Sequence, residues 1–130
     1  MVNGGTITNS GNGTLSYTGI SNSSVGLAFS SDVTLSNQQN GTINITGSSI
    51  QAAGVSVDAG VKIIANGRGV ASVVGQSQLA IGLQATGANF DIVNSGNGSL
   101  TVTGISLDVA NYQNGINTAG NLNIVNNGTS

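Results

Sequence analysis

The chain has no cysteine, no histidine, no proline, no tryptophan and no glutamate. Without cysteine there are no disulfides and no thiolate chemistry. Histidine and glutamate are among the side chains that most often move protons in a reaction, and only four carboxylates remain: Asp32, Asp58, Asp91 and Asp108. With Lys62 and Arg68 they make up 5% of the 130 residues, where an ordinary soluble domain carries about 25% charged residues. The net charge of -2 offers no basic surface for nucleic acid or anionic lipid. No apolar run reaches the roughly 18 residues that would cross a bilayer. Behind Met1 there is no charged and then apolar leader, only polar Gly/Asn/Thr text. Solubility must rest on Ser, Thr, Asn and Gln.

Glycine, asparagine and β-branched residues fill the space that charge vacates, and they recur at a fixed interval. NSGNGTLSYTGIS (Asn9 to Ser21) returns as NSGNGSLTVTGIS (Asn94 to Ser106). Between them stand NQQNGTINITGSS (Asn37 to Ser49) and the degenerate ANGRGVASVVGQS (Ala65 to Ser77). The aligned glycines Gly13, Gly41, Gly69 and Gly98 are 28, 28 and 29 residues apart, and a fifth turn begins at Asn127. A Gly-plus-apolar unit follows each copy: VGLAF, AGVSV, IGLQA, NGINT. A third segment leads into the next asparagine: DVTLSN, GVKIIA, NFDIVN, NLNIVN. Every segment alternates apolar and polar residues, the period of a strand with one buried face, and none shows a helical period. The abundance of Val, Ile and Thr also argues against disorder.

Three short strands per period bury nothing alone, but identical coils stacked on one another do. The sequence therefore predicts an all-β, right-handed parallel β-helix of about 4.5 coils, with equivalent strands about 4.8 Å apart and parallel crossovers of the usual hand. The whole of 1–130 forms this one repeat segment. Interior columns are expected at Leu15, Ile43, Ala71, Leu100, at Leu27, Val55, Leu83, Ile116, and at Val33, Val61, Phe90, Leu122. Glycine at the corners is expected to supply positive φ or close approach between neighbouring coils. Asn9, Asn37, Asn94 and Asn126 would stack at one corner as an amide ladder. A β-sandwich of short strands would share the turn signals, but it requires no constant 28-residue register.

The rhythm N-G-T-[LI]-x-[YVI]-T-G-x-S, then G-[LV]-x-[FV], then V-x-[LI]-x-N, resembles the repeat region of large secreted bacterial exoproteins. These are the filamentous-haemagglutinin-like adhesins of two-partner secretion and the passenger domains of autotransporters. The likeness extends over essentially the whole chain and lies in rhythm and composition. It implies a β-helical stalk exported across the outer membrane, displayed at the cell surface or released, and taking a host-cell or bacterial surface receptor or a glycan as partner. It also implies that 1–130 is a segment of a longer exoprotein. Members of this type are in some cases N-glycosylated. The sequons at Asn12, Asn22, Asn40, Asn44, Asn97 and Asn127 allow this, though Asn-Gly turn chemistry accounts for most of them.

Enzymes on this fold need clustered carboxylates or basic groups. Here Asp32, Asp58 and Asp91 fall at different offsets within their coils and read as scattered solubilising charges, with Lys62 and Arg68 a solvated pair. No catalytic residue, cofactor site or metal site is predicted; the calcium nonapeptide is absent, and GNG and NGRG lack the context of a phosphate loop. What remains is a surface. Outward positions of the first strand put Thr14, Thr18, Thr42, Thr46, Thr101 and Thr103 on one uncharged face, with Tyr112 on the lengthened corner near Asp108–Asn114 as a further contact. Such arrays resemble those of ice-binding solenoids, although threonine also simply suits exposed strand positions. Attachment is the leading expectation. End-to-end self-association into filaments is the alternative, because an open solenoid leaves strand edges unpaired at both ends.

Overall fold

A computed structural model describes residues 1–87, 89–111 and 113–127. Among these, thirteen strands build three parallel sheets. Sheet 1 holds β1 (Gly5–Asn9), β4 (Val33–Asn37), β7 (Val61–Ala65), β10 (Asn89–Asn94) and β13 (Asn121–Asn126), in that spatial order. Sheet 2 runs β2 (Thr14–Ser21), β5 (Thr42–Ser49), β8 (Val70–Ser77), β11 (Ser99–Ser106). Sheet 3 runs β3 (Leu27–Phe29), β6 (Val55–Val57), β9 (Leu83–Ala85), β12 (Ile116–Thr118). Each coil contributes one strand to each sheet, and each strand pairs with its equivalent one coil away. The molecule is a β-solenoid of three strands per coil.

The register follows the sequence period. Leu15 pairs with Ile43, Ile43 with Ala71, and Ala71 with Leu100. The anticipated columns all face inward, and Leu35, Ile43, Val55, Ile63, Leu83 and Ile92 are sealed from solvent. Burial fades at both ends, since an end coil has a neighbour on one side only. Ile63 is 0% exposed, while Ile124, two coils along the same column, is 47% exposed.

Glycine is used differently from one of its two expected roles. Positive φ occurs at Gly4, Gly5 and Gly67 alone among the described residues. Most of the others answer a packing need, though Gly11 and Gly13 have room for a side chain. Gly19, Gly47, Gly75 and Gly104 form an inward column of sheet 2, each facing a glycine at the entry to sheet 3. A Cβ on Gly47 would sit inside contact distance of the Gly54 carbonyl, and one on Gly75 would meet that of Gly82. The two sheets approach so closely at this corner that no side chain fits between them.

Two polar columns bind corners together, one of serines at this same corner between sheets 2 and 3 and one of asparagines between sheets 1 and 2. Ser49 Oγ donates to the Ser24 carbonyl (2.7 Å) and accepts from Ala52 N–H (3.1 Å). Ser77 Oγ donates to the Ala52 carbonyl (2.8 Å) and accepts from Ala80 N–H (3.0 Å). Each hydroxyl thus turns its own corner and ties it to the corner before. At the other bend, Asn9, Asn37 and Asn94 each donate Nδ2 to the carbonyl four residues on: Gly13, Gly41 and Gly98. The ladder is partial. Asn94 Nδ2 reaches Asn126 Oδ1 at 2.9 Å, but Ala65 stands between Asn37 and Asn94 in the column. Asn9 and Asn94 also accept from the N–H two residues on, at Gly11 and Gly96. Asn37 has Gln39 at that place, and its buried Oδ1 is left without a partner.

Candidate functional site

The pleat of sheet 2 sends alternate side chains outward. Because the strands are in register, those side chains align across coils: Thr14, Thr42, Val70, Ser99; then Ser16, Asn44, Ser72, Thr101; then Thr18, Thr46, Val74, Thr103. A fourth row reads Ile20, Ser48, Gln76, Ile105. None of these positions carries a charge. Neighbouring rungs lie about 4.8 Å apart, and successive outward residues along a strand about 6.6 Å apart. All six expected threonines lie on this one face. Thr101 falls in the middle row and not with Thr14 or Thr18. Val70 and Val74 interrupt the two threonine rows in the third coil. Tyr112 lies outside the described residues. Chemically the face presents mostly hydroxyls and amides, with Val70, Val74, Ile20 and Ile105 among them, on a backbone fixed by parallel pairing and suited to hydrogen bonding with a polar surface.

Three of the four carboxylates are engaged in building the solenoid. Asp32 Oδ1 accepts from Gly60 N–H at 2.9 Å, joining two coils. Asp58 Oδ1 accepts from the hydroxyls of Ser56 (2.8 Å) and Thr86 (2.7 Å). Asp108 organises the corner between β11 and β12, which has nine residues where the first three coils have five. It accepts from Asn111 Nδ2 (2.9 Å), Asn111 N–H (3.1 Å) and Ala110 N–H (3.0 Å). The Asn111 side chain first, and then the backbone donors, hold its carboxyl below the ordinary value against an opposing push from burial. Beside it Val109 is 85% exposed.

The charges are less scattered than the sequence suggested. On the outer face of sheet 1, Thr6, Thr34, Lys62, Asp91 and Asn123 align in register. A shallow cavity of about 370 Å³ opens there, lined by Asp32, Lys62 and Asp91 with Thr6, Thr34 and Asn89. Lys62 and Asp91 share one offset, each following a member of the Val33, Val61, Phe90 column, so the repeat already makes them lateral neighbours. Asp32 stands before that column and not after it, and only the structure brings it to the same cavity. Among the described residues no group of three or more metal-ligating side chains gathers, and no helix is long and apolar enough to cross a membrane.

No family model matches the chain, and no curated protein or solved structure matches it.

Proposed function

We propose that the chain is a β-solenoid segment of a secreted bacterial exoprotein, displayed at the cell surface, that attaches to a receptor or glycan on another surface. The observation that carries this reading is the outer face of sheet 2, four uncharged rows held in register, one of them hydroxyl or amide in all four coils and two broken only at Val70 and Val74. The repeat rhythm that resembles adhesin passengers supports the compartment. A rigid sheet binds without the ordering cost that flexible loops incur. Beads coated with the protein should retain bacterial or epithelial cells. Thr18→Glu with Thr46→Glu places two neighbouring charges on the face and should cut retention about tenfold, the effect of an unmatched charge at an interface. Wild-type beads that retain no more cells than albumin-coated beads would sink the reading.

A second reading, a filament subunit, is favoured by the eight-residue edges of β2 and β11, whose outer sides pair with no strand among the described residues. End-to-end pairing would continue each sheet from one copy to the next.

A further inference from the structure

We infer that the cavity on the outer face of sheet 1 is a binding site for a neutral, linear oligosaccharide lying along the solenoid axis. Three of the chain's six charged residues, Asp32, Lys62 and Asp91, line this one cavity. In a protein so poor in charge, that concentration on one shallow surface is the least expected feature of the fold. Solubility alone would favour spreading the charges out.

The chemistry of the lining selects the ligand. Facing carboxylates disfavour an anion, and the ammonium of Lys62 between them disfavours a simple cation. The two lining valines, Val33 and Val61, point into the core and are buried, so no large apolar side chain lines the cavity and the greater part of its surface is polar. A polyhydroxylated ligand suits all the groups. A carboxylate accepts from two adjacent hydroxyls, an ammonium donates to a ring or hydroxyl oxygen, and the hydroxyls of Thr6 and Thr34 do either. Asp32 is positioned for this, because the Gly60 N–H holds one of its oxygens and fixes the carboxylate.

The geometry selects the ligand's shape. The lining comes from four successive strands, β1, β4, β7 and β10, so the cavity extends about 14 Å along the axis at the parallel strand spacing. Groups equivalent by register recur at each rung: Thr6, Thr34, Lys62, Asp91. A linear chain of pyranose units repeats at nearly that spacing, so one sugar would meet one rung. This site is on a different sheet from the threonine face, and either can fail without the other.

The test uses nitrogen-15 amide spectra of the full chain titrated with cellotriose and mannotriose, and separately with tri-lysine. A neutral trisaccharide should shift the amides of Thr34, Lys62 and Asp91, saturating near about 1 mM, as a shallow site without aromatic stacking implies. Asp91→Asn and Lys62→Gln, both outward and outside the hydrogen bonds that build the coils, should each weaken this about tenfold. Their unperturbed spectra elsewhere would show an intact fold. Shifts scattered over all three sheets, shifts with tri-lysine only, or none with either sugar up to about 10 mM would overturn the inference.

Discussion

A single hydroxyl at Ser77 joins two coils, donating to one corner and accepting from the next. Its side chain is fully buried and both of its bonds are partly shielded, so losing the hydroxyl strands a donor and an acceptor with little access to water. Ser77→Ala should therefore cost about 1–3 kcal/mol, the penalty for stranding a buried donor and acceptor; urea denaturation followed by circular dichroism measures it, and a change under about 0.5 kcal/mol would show that water replaces the hydroxyl. Asp108 acts by charge instead. Its folded-state pKa is depressed, chiefly by the Asn111 side chain. Its contribution is thus complete above the ordinary carboxylate value and is lost as pH falls through the depressed one. Between pH 5 and 8 the corner should be insensitive to pH. Amide protection at Ala110 and Asn111, taken relative to the intrinsic exchange rate at each pH, should fall only in the acid range, and Asp108→Asn should remove that acid dependence. A loss of protection near neutrality would assign the ordering of the corner to another group.

Each strand is short, and its stability depends on its place in the stack. Ile63 and Ile124 are the same residue in the same column, yet one is sealed and the other half open. Ile63→Ala should cost about 2–5 kcal/mol as a core cavity, and Ile124→Ala about 1 kcal/mol or less because solvent already reaches the site. Equal costs, by denaturant midpoint, would mean that β13 is covered in solution. The elements themselves were legible from sequence. Alternation marked each strand, and the 28-residue spacing fixed which strands pair, because a one-residue slip would turn every apolar side chain outward. The roles of small residues were less legible. Serine at Ser49 and Ser77 reads as ordinary turn chemistry until the preceding carbonyl is placed above it. For glycine the sequence leaves open whether the need is positive φ or close approach, and at Gly47 and Gly75 the structure shows close approach. The threonine face followed directly from alternation. The Asp32–Lys62–Asp91 cavity was half legible: Lys62 and Asp91 share one offset, whereas Asp32 stands on the other side of the Val33 column and joins them only in the fold.

The whole molecule is quasi-one-dimensional, each coil touching only its neighbours, so its ends differ from its middle in kind. Natural sheets blunt open edges with lysine, proline, bulges or inward charges. None of the end strands carries charge or proline: β1 reads GTITN, β2 TLSYTGIS, β11 SLTVTGIS and β13 NLNIVN. The two ends also match in kind, with eight-residue strands in sheet 2 and strands of five and six residues in sheet 1. Two copies of this chain meeting end to end would extend the parallel ladders and cover inward side chains left open at the tips, Ile7 at one end and Ile124 at the other. Sedimentation velocity on the chain should show its average mass rising between about 1 μM and 1 mM, the range of a modest interface. Ile7→Lys sets a charge inward on the edge strand, where solvent already reaches the residue and the fold tolerates it. That variant should stay monomeric at every concentration. A wild-type chain that remains a single monomer over the same range would refute pairing through the ends. Association that Ile7→Lys leaves intact would move the contact away from β1 and toward the outward face of sheet 2.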